Sequence, residues 1–271
     1  MSGTTSLGPT TVPSSDARPD RSAPRYGGFS STYLRLEIRR MLRNRRTILF
    51  TLVMPPVFFL IFGTADSYRT QSAGRGNVTA YIAVSLAVYA AMLATTSGGA
   101  MVSVERAAGW SQQLRLTPLH PVAYVVTKLL TAMALGLVAV SVVLTVARVA
   151  HAQMPLHVWI ACGLLAWVGS LVFAAFGLFM GYLLPAENVM QILGPVLALL
   201  AFAGGLFVPL DDGSVFATIS KFTPMNGLAS LTRAPLTGDG VSWSAVANVV
   251  VWAAVFGIGS AWRFRRDTAR V

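Results

Sequence analysis

Hydrophobic and polar positions along this chain are segregated into blocks, not interleaved. Six stretches hold no Asp, Glu, Lys, Arg or His: Ile48–Thr64, Val78–Ser103, Leu129–Ala147, Val158–Leu184, Asn188–Leu210 and Gly240–Trp262. At about 1.5 Å rise per residue, each is long enough, or nearly so, to cross a hydrocarbon core about 30 Å thick. A helix at a protein–water boundary keeps a charged face, and these have none. The pattern predicts an all-α, polytopic membrane protein with six transmembrane helices. They lie over about 47–65, 78–104, 122–147, 156–184, 188–210 and 241–262.

Shorter periodicities flank these runs. In Ser31–Arg46, Leu34, Ile38, Met41 and Leu42 recur at helical spacing, while Arg35, Arg39, Arg43 and Arg46 line another face. This predicts a basic amphipathic helix over 31–46 in the headgroup plane, arginines toward anionic lipid. Arginines that only set topology are the other reading. In Asp211–Asp239, Val215, Phe216, Ile219 and Phe222 form one short apolar piece ended by Thr223-Pro224. Leu228 and Leu231 form a second, ending at Arg233-Ala234-Pro235. Both are too short to cross, and they read as interfacial or re-entrant half-helices on the outer side, or as an amphipathic surface loop.

Composition changes this picture little. Of 271 residues 54% are hydrophobic and 11% charged, far from the roughly one quarter charged in soluble domains. That leaves no room for a separate catalytic domain. A net charge of +11 raises nucleic acid as a partner, but the arginines flank apolar runs and form no single basic face. Sixteen basic residues fall on the side of the termini and the 105–119 loop, against five on the other. By the positive-inside rule both termini are cytoplasmic, in the cell membrane. Residues 1–28, rich in Ser, Thr, Pro, Gly and Arg, read as a disordered tail, and 267–271 as a second short tail. Cys162 is the only cysteine and lies mid-span, so no internal disulfide forms. Asn77-Val78-Thr79 matches a glycosylation sequon but abuts a span.

Ion-coupled carriers place carboxylates, histidines or lysines at membrane depth. The span interiors here are bare, and Lys128, two turns past Pro121, is expected to snorkel to the cytoplasmic interface. A membrane-embedded enzyme needs a polar constellation, and His151 and His157 are the only paired candidates, with no carboxylate beside them. A channel needs a charged or carbonyl-rich filter, and none is evident. Breakers within spans, Pro55-Pro56, Gly194-Pro195 and Gly204-Gly205, read as hinges or a pathway wall, or as the ordinary Gly and Pro of membrane helices. Gly177 and Gly181 form a small-xxx-small match for close helix packing.

The most specific local pattern is the loop from Glu105 to Leu119. Up to Pro118 it can form a short helix with Arg106, Trp110, Leu114 and Thr117 on one side. That side suits either a groove on a partner or, through Trp110, an anchor at headgroup level. The order of residues Glu105-Arg106, Gly109, Leu114-Arg115-Leu116-Thr117-Pro118-Leu119 and Lys128 resembles the permease subunits of type-2 ABC exporters. The closest group is the daunorubicin-resistance-type permeases of actinobacteria. Met54-Pro55, Gly204-Gly205-Leu206-Phe207-Val208-Pro209 and Phe222-Thr223-Pro224-Met225-Asn226 extend the likeness over about 33–266.

The resemblance implies that a separate ATPase, carrying the ATP and Mg, takes the 105–119 coupling helix into a cleft. Glu105, Arg106, Gly109, Trp110, Leu114, Arg115, Thr117 and Pro118 would form that contact, although Trp110 departs from the small residue usual there. It also implies a second permease copy, with the half-helices after Leu210 as an outer gate. No Gly-x-x-x-x-Gly-Lys-Ser/Thr phosphate loop occurs in the chain. The expected function is therefore a transport permease, not an enzyme, with no cofactor of its own. It would export a hydrophobic or amphipathic drug, natural product or lipid-like compound and confer resistance.

Overall fold

A charge-free segment in lipid must satisfy its backbone internally, and the helix does this within one segment. The computed structural model describes residues 31–109, 121–207 and 214–269, and helix dominates them. In order these are α1 (Ser31–Leu42), α2 (Arg45–Ile48), a π-wound stretch (Leu49–Val53), α3 (Met54–Phe62) and α4 (Asp66–Thr70). A two-residue antiparallel hairpin follows, β1 (Ser72–Ala73) with β2 (Gly76–Asn77). Then come α5 (Val78–Ala107), α6 (Pro121–Val149), α7 (Leu156–Gly169), α8 (Leu171–Leu183) and α9 (Ala186–Ala203). The last are α10 (Val215–Ser220), α11 (Pro224–Thr237) and α12 (Trp243–Ala269).

Among the described residues, five helical segments are long and apolar enough to cross a membrane: Val78–Ala107, Val122–Val149, Leu156–Leu183, Ala186–Ala203 and Trp243–Phe264. The sixth expected span, 47–65, departs from the pattern, its apolar helix covering only Leu49–Phe62. Pro55 and Pro56 lie inside that helix. They occupy the first positions of α3, where their missing donors cost least. The preceding turn widens so that the Met54 amide reaches the Leu49 carbonyl, five residues back. The π-wound turn thus absorbs the tandem prolines within one continuous run of helix.

Helix α5 is the hub, with 72% of its apolar window buried against 24% for α9 and 17% for α12. Small residues let its neighbours approach. A methyl group built on Gly99 would lie 2.5 Å from the Ala174 carbonyl oxygen, and one on Gly177 would collide with the Thr96 backbone. The Thr96 hydroxyl donates to the Phe173 carbonyl at 3.3 Å across the same seam. The glycine pair of α8 is therefore a packing face against α5. The expected span 156–184 runs as one helical segment, Leu156–Leu183, with a single turn residue, Ser170, between α7 and α8. There Leu228 of α11 presses on Gly169.

Asn77 organises the hairpin end of the bundle. Its amide donates to the carbonyls of Arg69 and His151 and accepts from the amides of Ala80 and Gln153, at 3.0–3.2 Å. The sequon asparagine is buried and fully committed.

Two short helices, α10 and α11, precede α12 and pack on the bundle. Thr223-Pro224 does not end the first short helix; it opens the second. Thr223 caps α11 by accepting from Asn226, and Pro224 takes a first-turn position. Pro235 does not stop α11 either, which runs to Thr237 with left-handed Gly238 after it. The Phe222 carbonyl accepts from the Trp252 indole at 2.8 Å. Trp252 lies nine residues into α12, about 13 Å from its start. The Leu236 carbonyl, in contrast, accepts from Arg75 in the hairpin. The chain therefore dips inward at α10 and returns along α11. Helix α9, expected to reach Leu210, ends at Ala203 with left-handed Gly205 behind it.

Candidate functional site

The polar cluster between α1, α5 and α6 is where the sequence and the structure differ most. Met41 of α1 is buried and Leu34 and Ile38 are half-buried, but Leu42 is exposed and Glu37 takes a place in the inward stripe at 5% exposure. Helix α1 ends at Leu42, not Arg46, and Asn44 caps the next turn by accepting from the Thr47 amide. Arg35, Arg39 and Arg43 stay exposed as expected; the Arg46 side chain lies outside the described residues. Helix α1 is docked on α6 through a charged residue, and does not rest on lipid by an apolar face alone.

Glu37 meets Lys128, whose ammonium was expected to snorkel out. It is instead 2% exposed, and it donates to Glu37 Oε1 and Glu105 Oε1, each at 2.5 Å. Glu105, 5% exposed, also accepts from Arg40 at 3.0 Å through Oε1 and from the Tyr124 hydroxyl at 2.5 Å through Oε2. Arg40 lies 3.6 Å from Glu37 and is half-exposed. Tyr124 and Lys128, one helical turn apart on α6, present the same face to the last turn of α5. Two carboxylates and two cations cancel, so the node has no net charge. Each buried ion has partners on a different helix, the condition under which a buried pair is tolerated.

Arg106, next in sequence, turns the other way. Its guanidinium donates to the carbonyls of Gly181 and Tyr182 at 3.2 and 3.1 Å and lies over the Tyr182 ring. It thereby satisfies the last carbonyls of α8. Gly109 follows at φ +73° with open space around it, so glycine is there for its backbone conformation. Of the eight residues expected to contact a partner, Glu105 and Arg106 thus face the chain's own helices. Trp110, Leu114, Arg115, Thr117 and Pro118 lie outside the described residues.

The expected hinge residues separate into three places. Pro55 and Pro56 are buried at the start of α3, and Gly194 and Pro195 lie on the exposed side of α9. Gly204 packs on Met225, and the Gly205 carbonyl takes part in a second cluster. There Arg233 of α11 donates to Ser85 Oγ of α5 at 2.7 and 3.2 Å. It also donates to the Gly205 and Leu206 carbonyls at 3.0–3.1 Å, and it lies 4.6 Å from the Tyr81 ring centre. No carboxylate pairs with it among the described residues. His151 and His157 are exposed, and the described residues contain no group of three His, Cys, Asp or Glu able to hold a metal.

Sequence reasoning passed over Glu37, Arg40, Tyr124 and Arg233. A signal existed for Glu37, which stands three residues after Leu34 and four before Met41, on the apolar stripe itself. For Arg233 it was an isolated cation in an apolar segment.

Comparison with known proteins accords with this architecture. The chain is 25% identical over 238 residues, 86% of its length and 96% of the other's, to the protein named "Putative transport permease YvfS" of Bacillus subtilis (strain 168). The model of the ABC-2 type transporter family matches residues 31–235, from the first residue of α1 to Pro235 in the last turn of α11. The chain belongs to the ABC-2 type transporters, as a membrane-spanning permease subunit.

Proposed function

We propose that this permease exports a hydrophobic or amphipathic compound (a drug, natural product or lipid-like molecule) across the cell membrane. A separate ATPase subunit, holding ATP and Mg, supplies the energy. Both termini and the 105–119 loop face the cytoplasm, and a second permease copy completes the pathway. The observation that carries this reading is the node joining Glu37, Lys128 and Glu105 at the base of that loop. A push on the loop reaches Glu105 first, and Glu105 is tied to α1 through Arg40 and, by Lys128, Glu37, and to α6 through Lys128 and Tyr124. Loop movement is thereby converted into displacement of two helices, a two-state element biased by differential contacts. In this reading Glu105 and Arg106 are levers, and Trp110, Leu114, Arg115, Thr117 and Pro118 supply the outward contact.

The node also gives an ion-coupled carrier the buried acids that the sequence seemed to lack. One reconstitution separates the two readings. Vesicles holding the permease with the ATPase encoded beside it should move cargo on ATP alone, with proton and sodium gradients collapsed. ATP hydrolysis in the complex should fall on Trp110→Ala and on Lys128→Met. Uphill flux by the permease without any ATPase overturns the proposal, as does hydrolysis indifferent to both substitutions.

A further inference from the structure

The elbow between α1 and α2 closes a cavity of about 190 Å³ against α5, lined by Arg40, Met41, Arg43, Asn44, Thr47 and Met101. Its chemistry is uneven. Met41 and Met101 give an apolar floor, while two guanidinium groups, an amide and a hydroxyl supply the polar side. Arg40 is held on one side by Glu105 and Glu37, but its side chain is still 48% exposed. Arg43 is exposed and has no charged partner among the described residues. Because the node beneath is neutral, Arg43 leaves the cavity with one unmatched positive charge. One turn further on, Leu49, Phe50 and Val53 are exposed at 49%, 59% and 42%.

The geometry points to a binding site for the headgroup of one anionic phospholipid. Paired guanidinium groups take a phosphodiester in charge-assisted hydrogen bonds. The cavity has room for that group, and the exposed apolar turn gives the acyl chains a surface. A soluble phosphate would use the arginines but not that turn. The inference rests on the membrane-subunit reading only in placing this end of the bundle at headgroup depth. It goes beyond that reading by making lipid a ligand with an address. It also gives the lipid a route inward, because a phosphate on Arg40 competes with Glu105 and Glu37 for the same guanidinium and leaves both acids to Lys128.

The test measures binding of labelled phosphatidylglycerol to the full chain in phosphatidylcholine nanodiscs, without nucleotide. Binding should saturate, and Arg43→Ala should weaken it about tenfold, the loss of one charge-assisted contact. Arg35→Ala, an equal loss of charge on α1 away from the elbow, should change it less than about twofold. Arg43→Gln, which keeps the side chain's length, should match Arg43→Ala, with the melting temperature of both unchanged. Inorganic phosphate should not displace the lipid. Equal weakening by Arg35→Ala and Arg43→Ala reduces the site to diffuse surface charge and overturns the inference. Displacement by inorganic phosphate, or binding that never saturates, overturns it as well. Since no ATPase takes part, failure here leaves the response of hydrolysis to Lys128→Met untouched, and the reverse holds too.

Discussion

Lys128 and Arg233, cations toward opposite ends of this bundle, are accommodated in different ways. Lys128 is bound by two carboxylates, so its charge is cancelled by opposite charge on α1 and α5. Arg233 meets a hydroxyl, two backbone carbonyls and an aromatic face, all neutral. The first arrangement is an interlock of ions, and removing one member leaves the others charged in a dry site. The second is a cap, in which the guanidinium takes carbonyls freed where α9 ends, and its loss leaves only dipoles unmet. The node should therefore be brittle to single substitutions, and the cap graded.

The largest expected effect tests that brittleness. Lys128→Met should destabilise the protein by about 3–5 kcal/mol, because two acids are then left without their buried partner. Denaturant titration in micelles would measure it. Combining Lys128→Met with Glu37→Gln and Glu105→Gln should recover most of the loss, and failure to recover would break the interlock description. Next, Arg233→Met should cost about 2–3 kcal/mol, since several neutral acceptors lose a charged donor at once. Hydrogen exchange should speed up in α11 and at Gly205–Leu206, with α1 unaffected. A cost above that of Lys128→Met would reverse the comparison.

Two smaller changes sharpen it. Tyr124→Phe removes one donor to Glu105 Oε2 and should cost about 1.5 kcal/mol, seen as a lower melting temperature. Ser85→Ala leaves Arg233 its carbonyl partners and should cost about 1 kcal/mol or less. In the double variant Ser85→Ala/Arg233→Met the two costs should not add, because both remove the same contact.

The crossing segments were legible because lipid exposure imposes a rule that sequence alone displays: no charge for about 20 residues. The glycine seam of α8 was legible for a similar reason, since only small residues permit the approach seen between Gly177 and Thr96. The node was not. Lys128 reads as a snorkelling residue when its helix is considered alone, and only the docking of α1, a non-local event, brings Glu37 to it. The prolines misled in another way. Pro224 reads as a stop after Phe222, but the same dipeptide is a start once Thr223 turns its hydroxyl to the Asn226 amide. Proline removes a donor in either case, and which helix that spares depends on where the chain folds back.

Helix α12 carries tryptophans near both ends, Trp243 at 81% exposure and Trp262 at 48%, the latter flanked by Arg263 and Arg266 against its ring. They are nineteen residues apart in sequence, about 28 Å along the axis, which is close to the hydrocarbon thickness. Indole rings prefer the water boundary. A piston stroke of α12 would drag one ring into the acyl region and lift the other out of its boundary layer. Rolling or leaning keeps both afloat, so those motions cost α12 less than a change of height.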